Sequence, residues 1–82
     1  MNSAFAPDLK FVRLADLPRR ARGVVVGHQT DGATAERLSA LGLGVGASFT
    51  IVASGARPTV QVGESRIGLG PELAGAVQAL AR

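Results

Sequence analysis

The sequence predicts a mainly β protein: a small barrel of about five strands, one α-helix between the second and third, and a short helical turn near the C-terminus. Three observations carry this. Short β-branched and aliphatic runs are separated by glycine-, proline- and serine-rich turns every eight to ten residues. Helical spacing stands out in the stretch near Ala33 to Leu41, where Leu38 and Leu41 lie three apart and Ala35 extends the stripe one turn back. That helix is stopped by Gly42, Gly44 and Gly46 and followed at once by the alternating strand Phe49-Thr50-Ile51-Val52-Ala53.

In chain order, residues 1–9 read as a frayed lead-in, because Pro7 and Asp8 discourage regular structure, and residues 10–82 as a single domain. Phe11-Val12-Arg13-Leu14 is a first strand and Ala15-Asp16-Leu17-Pro18 a turn. Gly23 to Gln29 is β-branched, glycine-bounded and the clearest strand. Asp31 or Thr34 is the N-cap of the helix. Gly42 supplies the left-handed position that commonly ends a helix, and Gly44 and Gly46 turn the backbone into the next strand. After Ser54 to Pro58 comes Thr59-Val60-Gln61-Val62, with Val60 and Val62 on one face. Gly63-Glu64-Ser65 is a hairpin loop, and Arg66 to Leu69 returns with Ile67 and Leu69 inward. Pro71 opens a helical turn with Glu72 beside it. The tail fits a helix through Leu73, Val77 and Leu80, or a strand through Val77, Ala79 and Ala81. Gly75 weakens a long helix, so one turn followed by a short strand is the reading.

Five short strands left open would expose two edges, and closure into a barrel pairs most of them. The helix then caps an open end with Leu38 and Leu41. This is an SH3-like barrel. An oligonucleotide-binding barrel competes, with longer strands and its helix between the third and fourth.

The bulk composition excludes several classes. The chain has 82 residues, 46% of them hydrophobic and 18% charged, so it makes one ordered domain. Three phenylalanines are its sole aromatics, so the core is aliphatic. Having no cysteine, it has neither disulfides nor thiolate metal sites. No apolar run approaches the ~18 residues of a membrane span, and Met1 to Pro7 lacks the pattern of a secretory signal. The expected compartment is the cytoplasm.

Catalysis is not expected. Ser39, Ser48, Ser54 and Ser65 have no base to activate them, and the six carboxylates show no pairing. Gly42-x-Gly44-x-Gly46 has the look of a phosphate-cradling loop, but it follows a helix instead of preceding one. His28, the one histidine, lies at a strand end with Asp31 and Glu36 near it but without ligand spacing. It reads as a partly exposed polar residue, with no metal and no cofactor expected.

Two groups remain as candidate contacts. Leu43 and Val45, flanked by Glu36 and Arg37, either form an exposed patch for a protein partner or tuck under the barrel. Arg19, Arg20 and Arg22 are a solvated turn or an electrostatic patch that meets nucleic acid, anionic lipid or an acidic protein face. Net charge is +3, with one lysine against eight arginines.

The order Leu14-x-Asp16-Leu17-Pro18, Gly23-x-Val25, Arg37-Leu38-x-x-Leu41-Gly42-Leu43-x-x-Gly46 resembles the FeoA family. Val60-x-Val62, Ile67-x-Leu69-x-x-Glu72-x-Ala74 and Val77 continue the resemblance, which covers roughly residues 11 to 80. It implies an SH3-like barrel and a small cytosolic bacterial protein of iron homeostasis. Such proteins act with the FeoB ferrous iron transporter through protein contact. Related domains form the C-terminal part of metal-dependent repressors, so a stand-alone domain that dimerises weakly through an edge strand is one rival. A nucleic-acid-binding barrel is the other. Two departures stand out. Arg19 and Arg20 occupy the stretch where the family often has glycine, and the Gly55-Ala56-Arg57-Pro58 turn is short.

Overall fold

A computed structural model describes residues 11–82; the expected lead-in over residues 1–9 lies outside them. Six strands form one antiparallel sheet: β1 (Phe11–Arg13), β2 (Arg22–His28), β3 (Ser48–Ala53), β4 (Thr59–Val62), β5 (Ser65–Gly68) and β6 (Val77–Ala81). Helix α1 (Gly32–Ala40) joins β2 to β3, and α2 (Pro71–Ala76) leads into β6. The strand order is β1-β6-β2-β3-β4-β5.

The expected meander is present, with one strand more than the sequence reading counted. The sixth is the C-terminal segment, where α2 ends and Val77 to Ala81 pairs with both β1 and β2. Val77 and Ala79 point into the core. Leu14, placed at the end of the first strand by its hydrophobicity, lies instead in a 3-10 turn over Leu14–Asp16 and is fully buried. Closure is also less complete than expected, since β1 and β5 remain the two edges of the sheet.

The core is aliphatic apart from Phe49. Leu14, Leu38, Leu43, Ile51, Leu69, Val25, Val60 and Val77 are all fully buried within it. Phe49 on β3 is the cross-strand partner of Gly23 on β2. A Cβ on Gly23 would stand 2.9 Å from the Leu80 carbonyl oxygen and 3.0 Å from the Phe49 ring. The ring therefore occupies the space a side chain at residue 23 would need, which is how an aromatic supports a glycine in a strand.

One bulge shapes β2. Val25 pairs with Ala79 and Gly27 with Gln78, so Val26 is the extra residue and is turned out to solvent.

Candidate functional site

The helix stop carries the family-like motif, and its geometry separates core from surface. Leu41 is the C-cap of α1, and Gly42 follows at φ +98°. The Gly42 N–H donates to the Ser39 carbonyl at 3.0 Å and the Leu43 N–H to the Leu38 carbonyl at 2.9 Å. These two bonds are the Schellman motif, which brings the residue after the glycine back against the helix. Leu43 and Leu38 are accordingly both fully buried. The helix stop thus contributes Leu38 and Leu43 to the core, and the expected pairing of Leu38 with Leu41 is corrected: Leu41 is 40% exposed, because the reversal at Gly42 carries the chain inward one step later.

Leu43 is therefore a core residue and no partner contact. Val45, two residues on, is 68% exposed. Gly46 then turns the chain at φ +96° and donates its N–H to the Val25 carbonyl at 2.8 Å. That bond sets the turn beside Val26 of the β2 bulge. Glu36 and Arg37 lie exposed on α1. Gly44, expected to help turn the chain, instead gives room: a Cβ there would come within 3.3 Å of the Ser39 hydroxyl.

His28 locks the same turn from the other side. Its Nε2 donates to the Leu43 carbonyl oxygen at 2.8 Å. One ring nitrogen is thereby committed to a structural bond, and no three His, Asp or Glu side chains converge among the described residues.

Asp31 is the N-cap of α1, accepting from the Thr34 N–H at 2.8 Å. The bond from the Thr34 backbone, then that from its hydroxyl, holds the Asp31 carboxyl below its ordinary value of 3.8. A carboxyl lowered on folding stabilises the fold above its unfolded pKa, and that contribution is lost as pH falls through the folded value. Asparagine caps as well but does not titrate. Asp31→Asn is therefore expected to leave thermal stability at pH 7 close to wild type and to flatten its fall below pH 4, read from melting curves across pH.

Arg19, Arg20 and Arg22 are all exposed at the entry to β2. Arg20 has φ +77°, alone among the described non-glycine residues in the left-handed region, and its N–H donates to the Ile51 carbonyl at 2.8 Å. This places an arginine where glycine is at ease, in the segment where the sequence departs from the FeoA pattern. Such a conformation costs a residue with a Cβ about 1 kcal/mol. Arg20→Gly is expected to raise unfolding free energy by up to about 1 kcal/mol in urea titrations.

Sequence reading missed an apolar row on the outer sheet face. Phe11 pairs with Leu80 and Leu80 with Val24, placing three apolar side chains side by side across β1, β6 and β2. Phe11 is 66% exposed. The signal was the shared parity of Val24 and Val26 in β2, opposite to that of buried Val25. Of the other motif residues, Leu69 is buried and Ile67 packs against the core from its rim.

The FeoA domain model matches residues 12–79. The crystal structure of an iron uptake regulatory protein, FeoA, superimposes with a TM-score of 0.83 at 27% identity, over 90% of this chain and all of that one. FeoA from Stenotrophomonas maltophilia, crystallised with zinc and described as an SH3-domain protein, gives 0.71 at 32% identity, over 83% and 88%. A manganese-dependent transcriptional repressor shares the fold at 15% identity and a TM-score of 0.80, over 93% of this chain and 44% of the repressor. No curated protein matches the sequence. With a mainly β, SH3-like fold and a family match over most of its length, the chain belongs to the FeoA family.

Proposed function

We propose that this protein is a cytoplasmic, non-catalytic accessory factor of ferrous iron uptake that works by contact with the cytosolic region of a FeoB-type transporter. The observation that carries this reading is the FeoA match over residues 12–79. The relative from Stenotrophomonas maltophilia, described as a candidate ferrous iron transport activating factor, supports the same direction. Among the described residues no helix is long and apolar enough to cross a membrane.

The surface best suited to that contact is the helix-stop turn. Leu41 and Val45 are exposed aliphatics on either side of the buried anchor Leu43, with Val26 beside the turn and Glu36 and Arg37 on the adjoining helix. A rigid turn presents apolar groups without the ordering cost of a mobile loop. Calorimetric titration into the isolated cytosolic region of a FeoB-type transporter tests the reading. Val45→Asp is expected to weaken binding at least about tenfold, equivalent to about 1.4 kcal/mol, with an unchanged urea midpoint. Equal binding by Val45→Asp would remove the turn from the interface, and no binding by the wild type would remove the partner.

A further inference from the structure

The outer face of the sheet carries a polar row that neither the core nor the helix-stop surface uses. Arg22 on β2 is the direct cross-strand partner of Thr50 on β3, Thr50 of Gln61 on β4, and Gln61 of Arg66 on β5. With strands about 4.8 Å apart, these four side chains stand in line across roughly 14 Å of one face. The Arg66 Nε donates to the Gln61 Oε1 at 3.2 Å, which commits the carbonyl end of that amide. Arg82 joins from the end of β6, its N–H donating to the Arg22 carbonyl at 2.8 Å.

Arg22, Arg82, Ser48, Thr50 and Gln61 border an open cleft of about 480 Å³, completed by Gly23, Phe49 and Gly63. Among the described residues no carboxylate side chain lines it. The ion pair formed among the described residues is that of Arg13 with Asp16, so neither cleft arginine is neutralised by an acidic side chain there. Glu64 follows Gly63 in the exposed β4–β5 turn.

We propose that this cleft binds a phosphoryl group. The chemistry of the donors selects it. Two guanidinium forks each offer a parallel pair of N–H groups, and the hydroxyls of Ser48 and Thr50 add two more donors. That exceeds what the two oxygens of one carboxylate accept and suits a phosphate or diphosphate. The volume lies within the range of small-ligand sites, so the phosphate is carried on a small molecule or a lipid headgroup. The site uses none of the residues of the helix-stop turn, and it stands or falls apart from the transporter contact.

Calorimetry with inorganic pyrophosphate at low salt, and co-sedimentation with phosphatidylglycerol against phosphatidylcholine vesicles, form the two arms of the test. Wild-type protein is expected to bind pyrophosphate, or phosphatidylglycerol in preference to phosphatidylcholine, and the arm that responds identifies the source of the phosphate. Arg22→Gln is expected to weaken that binding about tenfold or more, whereas Arg57→Gln, which removes the same charge outside the cleft, leaves it within about twofold. Equal losses in the two variants would reduce the effect to net charge and overturn the site. Absence of binding in both arms overturns it as well. Matched urea midpoints for wild type and Arg22→Gln exclude misfolding as the cause.

Discussion

Replacing Leu43 by alanine is expected to lower the unfolding free energy by about 3 kcal/mol, and replacing it by aspartate to prevent folding at room temperature. The residue is fully enclosed, it packs with Leu38 in the core, and its backbone ties the helix stop together at both its N–H and its carbonyl. Truncating a buried leucine removes its transfer free energy and leaves a cavity, together worth about 2–5 kcal/mol. A domain of this size has only about 5–10 kcal/mol in total, so a buried, unpaired carboxylate there is beyond what it tolerates. Urea unfolding followed by circular dichroism reads both variants. Val45→Asp, two residues away and exposed, is the matched control and is expected to shift the midpoint very little.

Gly23→Val is expected to destabilise by about 2–3 kcal/mol, and Gly23→Ala by about half of that. The first carbon of any side chain at residue 23 meets the Leu80 backbone oxygen at 2.9 Å and the Phe49 ring at 3.0 Å. Neither neighbour is free to move away. Leu80 belongs to β6, paired with Val24 on one side and Phe11 on the other, and Phe49 is a core side chain opposite Gly23 itself. Gly75→Ala provides the contrast. It lies within α2 with open space around the position, so it is expected to gain about 0.5–1 kcal/mol from helix propensity. Thermal melts of the three variants side by side distinguish steric conflict at residue 23 from a general effect of losing glycine.

The elements were legible where a residue's local role and its tertiary role agree. Gly42 reads as a helix stop because left-handed backbone favours glycine, and the structure places it at φ +98°. Asp31 reads as a cap because its carboxylate reaches a free N–H two or three residues on, and it does. The tail resolved into one helix and one strand because Gly75 disfavours a longer helix while Val77 and Ala79 share a parity.

Legibility failed where the answer depends on what the chain meets later. Leu41 and Leu43 are equally apolar, and only the two bonds of the reversal at Gly42 decide that the second turns inward. Nothing in Arg19-Arg20-Ala21-Arg22 announces that Arg20 takes up left-handed backbone. That follows from the way Arg20 and Ala21 exchange bonds with Ile51, thirty residues further along the chain. The polar row from Arg22 to Arg66 was invisible for a related reason. It is a product of register across four strands, and register is set by pairings that no single segment encodes.

In the proposed contact, the helix stop holds Leu43 in the core so that Leu41 and Val45 meet a transporter. Amide chemical shifts of the isotope-labelled protein, followed during titration with the cytosolic region of a FeoB-type transporter, test it most directly. A contiguous set of perturbed amides is expected from Leu41 to Gly46, joined by Val26 and Gly27 of the β2 bulge and by Arg37 on α1. Perturbation confined to the Ser54 to Arg57 turn or to the β4–β5 hairpin, or none at a saturating partner concentration, would contradict it.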